Sequence, residues 1–139
     1  MIILDTSVVS EPMRPSGDPE VREWLDRQVA ETLYLTATSL SELLVGIELV
    51  PRGKGREHLS ATLSALMNRL FGPRILPFDR QAAVVYASLV GRARDRGRSI
   101  SVADGQIAAI ALMHGFAIAT RDTAPFKAVG ASVINPWER

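Results

Sequence analysis

Short segments rich in apolar residues alternate along the chain with longer stretches in which apolar residues recur every three or four positions. The short segments predict strands and the periodic stretches predict helices. The predicted strands cover residues 1–4, 33–37, 74–78, 116–119 and 132–134, and the predicted helices about 19–29, 39–50, 56–71, 80–96 and 101–114. Parallel strands need crossover helices, so we expect one α/β domain over residues 1–139, with a mostly parallel four- or five-stranded sheet and helices on both faces.

Residues that favour helix starts stand before most of the predicted helices. Asp18 is followed by Pro19, a capping residue with proline in the first turn. Asp79 and Ser101 hold the same kind of position, and Ser39 is expected to open the helix after the second strand. Asp79 is therefore interpreted as a structural cap.

Composition narrows the class of protein. A 139-residue chain with 47% hydrophobic and 22% charged residues is typical of a soluble globular domain. The chain has no cysteine, which excludes disulfides, thiolate metal sites and cysteine nucleophiles. Its longest apolar run, 107–113, is far shorter than the roughly 20 residues of a membrane helix, and Asp5 interrupts the first apolar stretch. We expect no membrane span and a cytoplasmic location.

Four acidic residues fall where a parallel sheet would gather them. Asp5 follows the first strand, Asp122 follows the fourth, and Glu42 lies early in the helix after the second strand. These positions map to the carboxyl edge of the sheet, where ligands of such folds bind. Asp104 joins them only if its helix starts on the same side.

Helix capping is the alternative explanation for three of these acids. Glu42 and Asp104 each fall three residues after a serine, Ser39 and Ser101, which is the spacing of a capping box. Asp122 could cap a short helix after the fourth strand. Asp5 is harder to explain in this way, because it follows a buried apolar strand with no obvious cation beside it.

Considered together, the four acids favour a metal site. Two carboxylates about 4 Å apart repel by roughly 4 kcal/mol at an effective dielectric near 20, and a hard divalent ion relieves that repulsion. Mg²⁺ or Mn²⁺ could activate a water for attack on a phosphorus atom, with a carboxylate accepting the proton. His58 and His114 are isolated, so zinc is not indicated. Whether one or two ions bind stays open.

The segments around the acids resemble the four acidic motifs of the PIN domain. They are Ile-Leu-Asp5-Thr-Ser, Ser-Glu42-Leu, Ser-Val-Ala-Asp104-Gly-Gln-Ile-Ala and Thr120-Arg-Asp122-Thr-Ala-Pro-Phe. Within that family the sequence is most similar to the VapC toxins of type II toxin–antitoxin modules, in their FitB-like branch, which the closing Val-Ile-Asn-Pro-Trp137 also resembles. The resemblance spans essentially the whole chain, in order and with the expected spacing.

The resemblance implies a Mg²⁺- or Mn²⁺-dependent endoribonuclease that acts on RNA. It implies a homodimer, and inhibition by a cognate antitoxin that also binds DNA. The implied catalytic acids and metal ligands are Asp5, Glu42, Asp104 and Asp122. Thr6, Ser7 and Thr120 match polar neighbours of the family's pocket.

Two other interpretations compete with the nuclease. A haloacid-dehalogenase-type phosphatase needs a second acid two residues after the first, and position 7 is Ser7. A phosphoacceptor signalling domain needs an acid pair beside its aspartate, and the N-terminal segment offers only Asp5. A non-catalytic interaction module, with the acids acting only as caps, is the remaining alternative.

Charge adds a possible RNA-binding surface. The net charge is +1, and 14 of the 16 cations are arginine, which suits bidentate phosphate contacts. If four of the 15 acids form one site, the rest of the chain carries 11 acids and 16 cations. Arg92, Arg94, Arg96 and Arg98, or the 52–56 loop, could track an RNA backbone. The alternatives are a solvated helix end and a genome rich in arginine codons.

Overall fold

Five parallel strands form one sheet in the computed structural model, which describes residues 1–138. The strands are β1 (Ile2–Leu4), β2 (Leu33–Thr36), β3 (Ile75–Leu76), β4 (Ala117–Ala119) and β5 (Val133–Ile134). Their order across the sheet is β3-β2-β1-β4-β5, and every neighbouring pair is parallel. The predicted parallel α/β sheet is confirmed.

Residues 1–138 contain seven α-helices, which pack around the sheet. They are α1 (Thr6–Ser10), α2 (Pro19–Asp26), α3 (Ala37–Glu48), α4 (Lys54–Leu66), α5 (Arg80–Asp95), α6 (Val102–His114) and α7 (Ala124–Ala128). Short 3-10 turns cover Glu11–Met13 and Ala30–Thr32, and a π turn, Met67–Phe71, continues α4. No helix in residues 1–138 is long and apolar enough to cross a membrane.

Alternate residues of the central strands enter two separate hydrophobic cores. Ile3 and Ile118 pack with the apolar residues of α5 and α6, whereas Leu4 and Ala119 pack with residues of α1, α2 and α4. Successive side chains of a strand point to opposite faces, so the two cores lie on the two faces of the sheet. Helices therefore cover both faces, as expected.

The order of the strands creates a switch point between β1 and β4. From β1 the chain builds outward through β2 and β3, and then returns to the other side of β1 with β4 and β5. Leu4 pairs with Ala119, and the Asp5 amide continues this pairing by donating to the Ala119 carbonyl at 2.9 Å. In open parallel sheets this is the crevice in which ligands bind.

Three of the predicted caps are confirmed. The Asp18 side chain accepts from the Glu20 amide, and the Asp79 side chain accepts from the Ala82 amide. The Ser101 hydroxyl accepts from an amide in the first turn of α6. Each bond satisfies a backbone donor that has no partner within the helix.

The prediction that Ser39 opens the helix after the second strand is wrong. The helix begins at Ala37, and its cap is Thr36, the last residue of β2. The buried Thr36 hydroxyl oxygen accepts from the Ser39 amide at 3.0 Å, so the strand turns directly into the helix. Ser39 is itself buried within the first turn.

The predicted end of α2 near Val29 is also wrong. The helix ends at Asp26, because the Gln28 amide bonds back only three residues, to Leu25, and tightens the last turn. Val29 lies beyond this turn and is 62% exposed. Neither α1 nor the turn after it was predicted, because a five-residue helix is too short to show a helical period in the sequence.

Candidate metal centre

Asp5 occupies the switch point and is held there by two hydrogen bonds. One carboxylate oxygen accepts from the Thr6 amide at 2.9 Å, which makes Asp5 the cap of α1. The other accepts from the Thr120 hydroxyl at 2.8 Å. Thr120 is fully buried at the end of β4. The two bonds fix the carboxylate between the two central strands.

The pKa of Asp5 is raised above its ordinary value, mainly because burial removes water from the carboxylate. The hydrogen bonds from Thr120 and Thr6 oppose this effect, and the negative charges of Asp104 and Asp122 add to it. The latter two acids therefore lie near enough to act on Asp5 electrostatically. This is the charge accumulation expected from four acids at one edge.

Glu42 shares this electrostatic environment. Its pKa is raised, first by partial burial and then by the charges of Asp5 and Asp104. Glu42 is the sixth residue of α3, since the helix begins at Ala37, so it does not occupy the capping-box position. The interpretation of Glu42 as a cap is therefore wrong.

Two contacts orient the start of α6, which carries Asp104. The Thr38 hydroxyl donates to the Gln106 side-chain oxygen at 2.9 Å and ties α6 to the first turn of α3. Gly105 lies against Tyr86, and a Cβ at this position would come within 2.7 Å of the ring. Only glycine lets Tyr86 pack this closely beside Asp104. Because α3 follows β2 directly, α6 starts at the carboxyl edge.

The Asp104 carboxylate is not used in a full capping box. The Asp104 amide donates to the Ser101 hydroxyl at 3.1 Å, which is one half of that motif. Within residues 1–138 the carboxylate itself makes no hydrogen bond, so the reciprocal half is absent. The acid is thus free to hold another group.

Asp122 lies on the exposed loop after β4, and the proposal that it caps a helix is wrong. The cap position of α7 belongs to Thr123, and no side chain caps that helix. The neighbouring Arg121 amide donates to the Ser7 hydroxyl at 3.3 Å, and the Arg121 guanidinium lies over the Trp137 ring at 5.2 Å. These contacts hold the loop beside α1.

The donor set consists of carboxylates alone, which are the ligands that Mg²⁺ and Mn²⁺ prefer. No lysine or arginine in residues 1–138 forms an ion pair with any of the four acids. In the same part of the chain, no three Asp, Glu or His side chains stand close enough to hold one ion. The acids therefore act on one another electrostatically, but their carboxylates are not grouped closely enough to hold an ion. Glu42 and Asp122 are exposed. Rotation of these side chains could complete a site whose chemistry and charge suit a hard cation.

All four predicted acids thus belong to one edge of the sheet, and the three polar neighbours have distinct positions. Thr120 donates to the Asp5 carboxylate, Thr6 contributes its backbone amide, and Ser7 contacts the loop before Asp122. The Thr38–Gln106 hydrogen bond was not predicted, because it joins residues 68 positions apart. Only the polar character of Gln106 in an apolar helix could have indicated it.

Comparison with known proteins gives a family match over most of the chain. The PIN domain profile matches residues 2–131. The chain is 46% identical over 138 residues to the VapC ribonuclease Y4jK of Sinorhizobium fredii, and 44% identical over 137 residues to the toxin FitB of Neisseria gonorrhoeae. Each alignment covers 99% of both chains.

Solved structures agree with the sequence relatives. FitAcB from Neisseria gonorrhoeae matches with a TM-score of 0.94 and 43% identity, covering all of both chains. FitAB bound to the IR36 DNA fragment matches with a TM-score of 0.94 and 42% identity, over all of this chain and 97% of the other. At these identities the likeness extends beyond the general fold.

Proposed function

The chain belongs to the PIN-domain family, and from this premise we propose that it is the toxin of a type II toxin–antitoxin pair, a metal-dependent endoribonuclease acting in the cytoplasm. The relatives that match over nearly their whole length include a VapC ribonuclease and the toxin FitB. We further propose that the protein forms a homodimer and binds a cognate DNA-binding antitoxin. FitAB bound to DNA supports such a partner.

The observation that carries the proposal is the uncompensated negative charge at the switch point. Asp5 is fixed by Thr120 and Thr6, and its pKa is raised by burial and by the charges of two further acids. No arginine or lysine in residues 1–138 forms an ion pair with them. Unpaired carboxylates in such an environment favour either a proton or a cation. At neutral pH a divalent ion would relieve the repulsion.

We assign Asp5, Glu42, Asp104 and Asp122 as the metal ligands and catalytic acids. Asp5 and Asp104 are set in place by the strand pairing and by the capped start of α6, so they form the fixed part of the site. Glu42 and Asp122 are exposed and form the adjustable part. When bound, Mg²⁺ or Mn²⁺ would supply an activated water and neutralise charge at the phosphorus. The Glu42 carboxylate, whose pKa is raised, is suited to accept a proton.

Cleavage of RNA by the purified protein tests this function. We expect cleavage with Mg²⁺ or Mn²⁺, its loss in EDTA, and its loss in Asp5→Asn and Asp104→Asn. Asp79→Asn is the matched control, since Asp79 also follows a strand but caps α5, and asparagine caps equally well. Mapping of RNA ends after brief expression, compared with Asp5→Asn, would locate the cut.

Two results would contradict the proposal. Cleavage that is retained in purified Asp5→Asn or Asp104→Asn would contradict the assignment of these acids to the site. Absence of both cleavage and calorimetrically detected Mn²⁺ binding in the wild type would favour a non-catalytic interaction module instead. Light scattering would test the homodimer independently of either result.

A further inference from the structure

The four clustered arginines of the sequence do not share one surface. A cavity of about 220 Å³ between the end of α5 and the end of α7 is lined by Arg92 and Arg96. A second cavity of about 340 Å³, between the loop before α6 and α7, is lined by Arg98. The two cavities share Ala93, Ala128 and Val129 in their linings, so they adjoin, and the pair is referred to as the groove. Arg94 lines neither cavity.

We propose that this groove binds backbone phosphates of the RNA on its way to the acidic edge. The inference rests on the ribonuclease function proposed above and adds the residues that would hold the substrate. Arg92, Arg96 and Arg98 would each contact a phosphate, since the guanidinium group matches phosphate geometry. Arg92 and Arg96 lie one helical turn apart, with Cβ atoms about 5–6 Å from each other.

The charge of the groove is uncompensated. Its lining contains three arginines and no acid, and none of the three forms an ion pair within residues 1–138. The rest of the lining consists mainly of small or apolar residues, such as Ala93, Ala128 and Val129. A surface of this kind offers donors for phosphate oxygens but no groups that read a base.

The basic surface at the 52–56 loop is less suited to binding an RNA backbone. The cavity beside the loop between α3 and α4 is lined by Arg52 and Arg56, but also by Glu48 and Glu57. Arg56 already pairs with Glu48 at 2.6 Å. The acids of this cavity cancel its positive charge locally, so an RNA backbone gains little there.

Two residues of the groove wall lie close in sequence to the acids. Its wall includes Ala124, which lies two residues after Asp122. It also includes Ile100, which directly precedes Ser101, the cap of the helix that carries Asp104. A strand of RNA bound along the arginines would therefore reach the acids at the end of the groove.

RNA binding in EDTA tests the groove without cleavage. The probe is a fluorescein-labelled single-stranded RNA of mixed sequence, measured by anisotropy between about 50 and 200 mM KCl. We compare Arg92→Gln/Arg96→Gln with Arg80→Gln/Arg94→Gln, which removes the same charge from exposed positions of the same helix outside the groove. Loss of two phosphate contacts should lower the salt slope of binding by about 1.4, at about 0.7 per contact.

The expected result is weaker binding and a smaller salt slope in the groove variant, with the wild-type slope kept in the control variant. If the two variants have equal RNA affinity and equal salt slope, the proposal that the groove binds RNA is overturned. Wild-type cleavage and the proposed function are not affected by that result. A wild-type protein that neither binds nor cleaves RNA would overturn both. Unchanged circular dichroism of the variants verifies that they are folded.

Discussion

Thr120 donates a hydrogen bond of 2.8 Å from its buried hydroxyl to the Asp5 carboxylate, and so connects two residues 115 positions apart in the chain. This bond favours the charged form of a carboxylate that burial and two neighbouring acids push toward protonation. It thereby helps to keep Asp5 ionised and in position.

Thr120→Val should raise the pKa of Asp5 further, because the charged carboxylate loses a donor while its burial and acidic neighbours remain. We expect the acid limb of the pH–cleavage profile to move to higher pH. The unfolding free energy should fall by about 1.5–3 kcal/mol, the usual contribution of a hydrogen bond to a charged group. Thr120→Ser keeps the hydroxyl and should retain the wild-type profile. A profile unchanged in the valine variant would refute this role.

Asp5→Asn should abolish cleavage and leave the protein at least as stable as the wild type at pH 7 in EDTA. The native pKa of Asp5 lies above its ordinary value of 3.8, so native protein holds this proton more tightly than unfolded chain. The stability that Asp5 contributes is therefore complete below about pH 3.8 and declines as the pH rises through the raised native pKa. Asparagine carries no charge and still caps α1.

The relative stability of Asp5→Asn should thus increase over that pH range and level off above it. Urea unfolding of both proteins at a series of pH values in EDTA gives the comparison. A variant that is less stable than the wild type at pH 7 would show that repulsion among the acids is not the dominant effect.

Mn²⁺ should raise the melting temperature of the wild type but not that of Asp5→Asn. A ligand that binds only the native state stabilises it by about 2.7 kcal/mol at one hundred times its Kd. The effect should weaken as the pH falls toward the raised pKa values of Asp5 and Glu42, because protons compete with the ion. Asp79→Asn should respond like the wild type. An identical shift in wild type and Asp5→Asn would place the ion elsewhere.

Glu42→Gln should lower cleavage by at least about 10²-fold, the lower end of what a general base contributes. Its unfolding free energy should change by less than about 0.5 kcal/mol, since Glu42 is exposed and caps no helix. Thr36→Ala removes the actual cap of α3 and should cost about 1 kcal/mol. Paired denaturation and cleavage assays separate the two effects. A stability loss in Glu42→Gln as large as that in Thr36→Ala would restore the capping interpretation.

Gly105→Ala should destabilise the protein by about 1–3 kcal/mol, because the new methyl group would lie 2.7 Å from the Tyr86 ring. In a Tyr86→Ala background the same substitution should instead stabilise by up to about 1 kcal/mol, through the helix propensity of alanine. Gly91→Ala is the control, as nothing lies within 4 Å of its added Cβ. A double-mutant cycle that shows no coupling between positions 105 and 86 would contradict the close contact of Gly105 with Tyr86.

The sequence was sufficient for the carboxyl-edge placement of Asp5 and Asp122, because parallel strands dictate on which side each strand ends. It was insufficient for Asp104, whose position depends on the direction of α6. That direction is seen in the Thr38–Gln106 hydrogen bond, a tertiary contact with no local signature.

The start of α3 is a second feature that the local sequence could not predict. Thr36, Ser39 and Ser41 are all residues that favour helix caps, so local preference alone could not choose among them. The choice falls on Thr36 because β2 must end in register with its neighbours, which places the turn at that residue. Moving the start of the helix by a few residues changes the interpretation of Glu42 from a cap to an acid without a partner.

The separation of Asp5 and Thr120 also determines when the acidic edge can assemble during synthesis. At 5–20 residues per second, the 115 positions between them take roughly 6–23 s to translate. Asp104 appears only late in this interval and Asp122 just after it, and β1 has no β4 to pair with until then. A nascent chain that contains only Asp5 and Glu42 therefore lacks two of the four acids and the strand that pairs with β1. The acidic edge is complete only once β4 and the loop after it have been synthesised and β4 pairs with β1.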